Sequence, residues 1–573
     1  MPRANEAVEA LLQEYADLLA ITGGDAFRVR TYERAARSIG GYHADISTLD
    51  LKGLQAIPNV GKSTAEKIQE YLANGSFHRL EELRAKVPPG VRQMMSISGL
   101  GPKKAMVLYQ DLHIATVEEL AQSIEAGRLR GLHGFGEKTE GNILRGISLM
   151  QQTGARVQVG VAMDLAEDII AQLSTVKECR RVAYAGSLRR MAETIGDVDI
   201  LVASVKPEPI MDAFRTLTHV QRVIGSGETK TSIRTTQGIQ VDLRVVPPEA
   251  WGAALQYFTG SKAHNIRTRE IAVRKGLKLS EYGLFDAKSG ELIVSRTEEE
   301  VYERLGLPWI PPTLREDRGE IEAALRRELP VLVREKDIKG DLHTHTNLTD
   351  GLAPLEHMVE AARERGYAYY AITDHAPNLY MQRMTDAKML AQRNRVRELE
   401  GQGTMVLLHG SELNIDADGN VDWGPEFLQG FDVCVASVHG EFTQGKDEMT
   451  RRIIRACENP FVNIIGHPTA RMIGKRPPVE FDLDEVFRAA ARTGTALEIN
   501  AFPDRLDLRD EHVMWAKRHG VKFAIDTDSH STVHLPFMRY GVATAQRGWL
   551  TKTDVINAWP LAKLRRFLRK GRP

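Results

Sequence analysis

The chain has 573 residues, 42% apolar and 27% charged, which fits three or four globular domains at about 150 residues each. Lysine plus arginine and aspartate plus glutamate both number 76, so net charge gives no argument for nucleic acid, and any such argument rests on local sites. Cys179, Cys434 and Cys457 lie far apart, against a thiolate zinc site or disulfide framework; with no leader-like N-terminus and no apolar run of about 18 residues, a cytoplasmic protein that does not span a membrane is expected.

Apolar residues recur at helical spacing between 6 and 20 (Val8, Leu11, Leu12, Tyr15, Leu18, Leu19), and Gly23-Gly24 ends that helix. Three related segments follow: Ile57-Pro58-Asn59-Val60-Gly61-Lys62, Ile97-Ser98-Gly99-Leu100-Gly101-Pro102-Lys103-Lys104 and Leu132-His133-Gly134-Phe135-Gly136-Glu137-Lys138. Each sets a glycine turn before a new helix, with a lysine nearby. Glycine lets backbone N–H groups approach a phosphate, and the helix N-terminus adds positive dipole. The segments resemble helix-hairpin-helix motifs, which hold the DNA backbone without reading bases. Gly61, Lys62, Gly99, Gly101, Gly134 and Gly136 are therefore candidate DNA contacts. The first copy has Asn59 where glycine is usual, and asparagine tolerates a left-handed backbone.

Residues 186–199 read Gly-Ser-Leu-Arg-Arg-Met-Ala-Glu-Thr-Ile-Gly-Asp-Val-Asp. Asp197 and Asp199 alternate with Val198 and Ile200, which predicts a buried strand with two acids on one side. Neighbouring carboxylates repel, Mg²⁺ removes the penalty, and two ions can organise an in-line phosphoryl displacement, with Gly186-Ser187 seating a phosphate. Residues 239–246, Ile-Gln-Val-Asp-Leu-Arg-Val-Val, form a second predicted strand with Asp242 and Arg244 on one face, and Asp242 is the candidate third carboxylate.

With those segments in place, residues 1–315 resemble a family X DNA polymerase. The resemblance implies that Asp197, Asp199 and Asp242 are a catalytic triad holding Mg²⁺ or Mn²⁺. Gly186, Ser187 and Arg190 match its triphosphate-binding segment, and Tyr257-Phe258-Thr259-Gly260-Ser261 its YFTGS segment, whose aromatic pair packs on the incoming sugar. Asn265 and Arg269 fall where that family contacts the nascent pair and template, and Arg244 is a further candidate DNA contact. Lys262 departs from relatives that carry an acid there; it either strengthens nucleotide binding without template instruction or is a solvated lysine. Lys67 falls where lyase-competent relatives carry a Schiff-base lysine; the other reading is a helix-surface lysine on phosphate.

Pro308-Trp309-Ile310-Pro311-Pro312 closes this region, and a charged helical stretch is expected from about 315 to 335. Seven apolar strand-like runs then end near Asp341–His345, Thr373–His375, Gly410–Glu412, Ser437–His439, Gly466–His467, Glu498–Asn500 and Asp526–His530. Separated mostly by helical patterns, they predict a parallel α/β barrel with reactive residues at the C-terminal strand ends. Those ends bring His343, His345, Asp350, His375, Glu412, His439, His467, Asp528 and His530, which suit two or three ions rather than one. Asp374 and Asp526 read as supports for ligands, Arg471, Lys475 and Arg505 as loop contacts to phosphate, and the basic tail 563–572 as a solvated helix end. The run resembles a PHP (polymerase and histidinol phosphatase) domain, implying metal-dependent phosphoester hydrolysis with zinc or manganese.

The expected fold is multidomain: an α-helical helix-hairpin-helix region, an α/β (α+β) nucleotidyltransferase palm and thumb, and a distorted, TIM-like seven-stranded α/β barrel. Residues 1–85 read as a lyase-like helical domain, 86–150 as helix-hairpin-helix fingers, 151–250 as palm, 251–315 as thumb, 316–338 as linker and 339–573 as the hydrolase. The expected activity is short-gap filling by a monomer on gapped or primed DNA with dNTPs, joined to a 3′–5′ exonuclease, with action on abasic sites or 3′-phosphates also open. A small-phosphoester phosphatase with a DNA-sensing front, and a non-enzymatic DNA-end scaffold, are the alternatives.

Overall fold

The computed structural model describes residues 4–42, 44–95, 97, 100–130, 132, 134–136, 139–141, 143, 144, 146, 147, 156–379, 382–401 and 403–570. No helix among them is long and apolar enough to cross a membrane.

The N-terminal part is helical, from Ala4–Ile21 through Val117–Glu125, around one core that runs from Val8 to Ile147. Helices start where local chemistry provides a cap. Asp25 accepts from the Arg28 N–H, Asp50 from Gly53, and Thr116 with Glu119 forms a reciprocal box. Asn59 has φ +63, the left-handed turn its residue type allows.

A five-stranded sheet follows, ordered Arg181–Tyr184, Asp197–Ala203, Gln240–Val246, Lys230–Thr235, Val220–Ser226. Only Asp197–Ala203 and Gln240–Val246 pair in parallel. The helix Val159–Ser174 packs its apolar face on this sheet, and a three-stranded antiparallel sheet, Leu277–Ser280, Gly283–Asp286 and Leu292–Val294, follows two helices, Trp251–Thr259 and Lys262–Arg274. The charged stretch after 315 holds only a short helix, Glu320–Leu325: Gly319, at φ +102, precedes it and Pro330 lies soon after its end.

Seven parallel strands, Gly340–Asp341, Tyr369–Ile372, Val406–Asn414, Val433–Ser437, Ile464–Ile465, Ala496–Asn500 and Phe523–Asp526, pair in chain order and nearly close into a barrel. Alternate residues face opposite ways: Tyr370 and Ile372 join the outer core beneath the helices, whereas Tyr369, Ala371, Leu408, Val433 and Ala524 fill the inside. Helix Leu561–Leu568 packs on that inner cluster. The tail is not merely a solvated helix end, because Lys570 Nζ donates to the carbonyls of Cys457, Asn459 and Val462 at 2.8–3.0 Å. The seam between first and last strands is closed by one isolated bridge, Thr344 to Ser529, by Asn557, whose amide donates to Gly340 O (2.9 Å) and Ile525 O (2.6 Å), and by the carboxylates of Asp526 and Asp341, which accept from the Leu342 and Thr527 N–H groups (2.9 and 3.2 Å).

Candidate active sites

In the central sheet, parallel register sets Asp199 opposite Asp242 and Asp197 opposite Gln240. Val198 and Ile200 point into the core, so both acids share the other face with Asp242. Adjacent strands lie about 4.8 Å apart, which crowds three carboxylates. Burial, reinforced by Asp197 and Asp242, pushes Asp199 up to about 7. A divalent cation among the three would favour the ionised form. Burial would raise Asp242 too, but Lys230 (Nζ to Oδ2, 2.8 Å) and Gln240 (Nε2 donating to Oδ1, 3.0 Å) outweigh it and hold it below the usual range.

Gly186 sits against this triad at φ +58, and a Cβ there would lie 2.0 Å from Asp199 Oδ2. It opens the turn Gly186–Arg189 that carries Ser187 and leads to Arg190. Arg190 is close enough to Asp199 to oppose the upward shift, and its guanidinium donates to Thr259 O (2.6 Å) and Glu316 Oε1 (3.0 Å). Gly260, at φ +65, packs beside Arg190. The Tyr257 and Phe258 rings meet edge to face at 5.2 Å, and the Arg244 guanidinium lies 5.3 Å from the Phe258 ring centre. Asn265 is largely buried: it donates to Tyr257 O (2.7 Å) and accepts from Gln256 (3.0 Å). Arg269 is exposed and donates to Asn265 O (3.1 Å); Lys262 is exposed at the start of the same helix. The triad, Gly186, Arg190 and Gly260 thus gather at one place, with the aromatic pair and Asn265 on the flanking helices.

Among the hairpin residues, Gly61 and Gly101 cap the helices Lys62–Asn74 and Pro102–Leu112, and Gly136 accepts the Thr139 N–H at 2.8 Å. A Cβ at Gly61, Gly101 or Gly136 would meet nothing within 4 Å, so these turns face open space that a phosphate could enter. Lys62 is exposed, and Gly134 has φ +88. Gly99 lies outside the described residues. Lys67 is half-buried, donates to Ser63 O and Oγ (3.1 and 2.8 Å) and lies 5.6 Å from the Tyr32 ring centre.

In the barrel all nine predicted ligands converge. Glu412 is the hub: Oε2 lies 3.0 Å from His375 Nδ1 and 3.3 Å from His343 Nε2, and Oε1 lies 3.0 Å from both His439 and His467 Nε2. Asp528 Oδ1 is 3.1 Å from His345 Nε2, and Asp350 bridges His375 and His530 at 3.3 Å each. Three overlapping groups have ligand atoms within 4.8 Å: His345, Asp350, His375 and His530; His343, His345 and Asp528; His375, Glu412 and His439. His345 Nδ1 and Asp350 Oδ1 are buried without a hydrogen bond among the described residues, which fits donor atoms shaped for cations. Burial would raise Glu412 and Asp528, yet the surrounding imidazoles pull both well below the usual carboxylate range.

Supporting residues fix these ligands. Glu498 Oε1 lies 2.6 Å from His343 Nδ1, and Asn414 Oδ1 lies 2.7 Å from His439 Nδ1, as the outer shell of a metal site requires. Asp374 accepts from the Thr346 N–H (2.9 Å) and from Thr349, holding the loop to Asp350, and Asp526 accepts the Leu342 N–H (2.9 Å) across the seam. Glu498 and Asn414 carry no motif of their own; Asn414 follows Glu412 on one strand and Glu498 lies near the end of another, and those positions were the available signal. Lys230 also escaped the sequence reading, because only the hairpin register brings it to Asp242.

Asp350, Asp528 and His530 line a cleft of about 950 Å³, walled also by Gly40–Tyr42 of the N-terminal helices and by Gly160 and Val161. Ser531 donates to Gly41 O, and a Cβ on Gly41 would overlap Leu352 at 2.1 Å. Arg505 lies in this wall with Nε 3.5 Å from Asp528 and a buried Nη1 that has no hydrogen bond among the described residues. Arg471 donates to Glu193 (2.7 Å) and to Arg505 O (2.8 Å), tying the barrel to the segment between Arg190 and Asp197. Lys475 is exposed.

Residues 3–77 match a helix-hairpin-helix domain, 91–148 a SAM-like helix-hairpin-helix tandem, 254–316 the DNA polymerase beta thumb and 341–501 the PHP domain. The chain is 35% identical to DNA polymerase/3′-5′ exonuclease PolX of Bacillus subtilis (strain 168) over 567 residues, 98% of each chain. It is 26% identical to DNA polymerase lambda of Rattus norvegicus over 324 residues, 51% of this chain and 53% of that one. A probable phosphatase of Thermoanaerobacter sp. (strain X514) is 29% identical over 247 residues, 40% of this chain and 94% of its own length. With a likeness that runs from the hairpins to the last barrel strand, the chain belongs to the family X DNA polymerases that carry a PHP domain.

Proposed function

We propose that the chain fills short gaps in DNA at the central sheet and removes 3′-terminal nucleotides at the barrel. The parallel pairing that sets Asp199 against Asp242, with Asp197 on the same face, carries the first half. Asp197, Asp199 and Asp242 would hold Mg²⁺ or Mn²⁺, whose chemistry when bound would be to offset negative charge on a phosphoryl group. Gly186, Ser187 and Arg190 receive the triphosphate of a dNTP. Tyr257 and Phe258 pack on its sugar, and Asn265, Arg269 and Arg244 lie toward the primed duplex. Gly61, Lys62, Gly101, Gly134 and Gly136 grip its backbone.

In the barrel the nine imidazoles and carboxylates would hold two or three ions of the zinc or manganese type, whose chemistry when bound would be to lower the pKa of a water and to offset negative charge on the phosphoester. Arg505, with its unpaired Nη1 in the cleft, receives the phosphate. The likeness to a probable phosphatase supports the same hydrolysis acting also on 3′-phosphate ends. The protein works as a cytoplasmic monomer in base-excision repair. The fold reads as palm over 151–250, thumb over 251–315 and hydrolase over 339–573.

Asp197→Ala should abolish primer extension on a gapped duplex and spare 3′–5′ hydrolysis. The double variant His343→Ala/His345→Ala should do the reverse. A folded single-site variant that loses both activities refutes the two-site assignment.

A further inference from the structure

The barrel reaches toward the polymerising site through the Arg547 side chain. Arg547 ends the helix Met538–Arg547, which packs on the barrel strand Phe523–Asp526. It is 8% exposed. Its Nη1 donates to Glu316 Oε1 and to the backbone oxygen of Arg190, both at 2.8 Å. Its Nε donates to Asp510 Oδ2 at 2.8 Å, and Asp510 also receives Arg318 at 2.9 Å. Glu316 in turn receives Arg190 Nε at 3.0 Å. Arg190, Glu316, Arg547, Asp510 and Arg318 therefore form one chain of alternating charge.

We propose that Arg547 is a positioning residue for polymerisation, holding Arg190 available to the anionic triphosphate of the incoming nucleotide. Glu316 paired with Arg190 alone would form a neutral couple and draw that guanidinium away from an anion. With Arg547 on the same carboxylate oxygen, the one charge of Glu316 is shared between two guanidiniums, which weakens its hold on Arg190 beside the nucleotide-binding turn; at the far end Arg318 pairs with Glu511 (3.1 Å) as well as Asp510. The bond from Arg547 to the Arg190 carbonyl also fixes the end of the turn that starts at Gly186. Polymerisation at the central sheet is thereby tuned by a residue of the hydrolytic barrel. The inference rests on the proposed role of Arg190 as a triphosphate ligand.

The test uses the full chain, steady-state single-gap filling over a dNTP series, and 3′–5′ hydrolysis of a single strand as an internal control. Arg547→Ala removes charge-assisted hydrogen bonds and should raise the KM for dNTP roughly tenfold, with kcat and hydrolysis little changed. Arg547→Lys should recover part of the loss. Glu316→Gln added to Arg547→Ala should bring KM back toward the wild-type value, because it frees Arg190 from an unshared carboxylate; a purely structural role predicts a worse double variant. If Arg547→Ala does not fold, Arg547→Gln, which keeps a neutral donor, reads the same split. An unchanged KM, a fall in both activities together, or a double variant worse than the single overturns the proposal. Arg190→Ala separates the two ideas: an unchanged dNTP KM there sinks the role of Arg190 itself. A raised KM there, beside a normal Arg547→Ala, sinks only the positioning.

Discussion

Gly186 offers a stringent test of the polymerising site. Its φ of +58 costs an alanine about 1–2 kcal/mol, which the surrounding sheet could absorb. The larger effect is steric. The new Cβ would stand 2.0 Å from Asp199 Oδ2, about 1.4 Å inside ordinary contact, and the carboxylate must give way because the turn is held between Asp199 and Leu188, itself fully buried. Displacing a metal ligand by about 1 Å costs on the order of a hundredfold in rate. Gly186→Ala should therefore lower kcat for single-nucleotide gap filling about a hundredfold, while hydrolysis of a single strand by the same preparation is kept. Gly290→Ala is the matched control, because its φ of +74 is also left-handed yet a Cβ there meets nothing within 4 Å, and it should extend primers normally. Wild-type extension by Gly186→Ala, or an equal fall in both activities, refutes the argument.

Glu498→Gln removes the charge that orients His343, so metal retained by the barrel after dialysis against a graded chelator should fall about 10–100-fold in affinity, with gap filling intact. Burial would raise Glu298, but Arg189 and Arg315 outweigh it and hold it at about 2 against an ordinary 4.5. A depressed carboxylate contributes stability above its unfolded value and loses it as pH falls toward the folded one. The stability gap between wild type and Glu298→Gln, about 3 kcal/mol by linkage, should stay level above pH 4.5 and shrink from there toward pH 2 in denaturant titrations; a gap that grows on acidification contradicts this. Lys67, half-buried and held by Ser63, should act on phosphate: Lys67→Ala should weaken DNA binding in a titration, and borohydride should trap no abasic adduct that this variant loses.

Much of the chemistry was legible because it is written locally. Asp197-x-Asp199 sits on one strand face by alternation alone, and the barrel's candidate ligands fall at strand ends, where a parallel barrel gathers them. What escaped depends on register or on contacts between distant segments. Lys230 reaches Asp242 only through the antiparallel pairing of its strand with Gln240–Val246. Arg471 sits in a loop after a strand, the usual place for a phosphate contact, yet its donors go to Glu193 and to the Arg505 carbonyl, a use that no local pattern encodes. The stretch after 315 has helical composition, but Pro330 and the extended segment beyond it leave only Glu320–Leu325 wound. Gly41 carries no motif, yet its missing side chain leaves room for the approach of Leu352 from the barrel.

The barrel seam has a thermodynamic consequence. Its first strand leads into His343 and His345 and its last into Asp528 and His530, and between them stand one bridge and side-chain bonds of Asn557, Asp526 and Asp341 rather than a full backbone ladder. His345 and Asp528, 3.1 Å apart, face each other across that gap. Cations held there would act as a clasp, so ion affinity and seam closure are two readings of a single equilibrium. Stripping the ions should then speed amide exchange along residues 340–345 and 523–530 first, leaving the interior strands protected, and loosening the seam by Asn557→Ala should weaken ion binding without touching a single ligand.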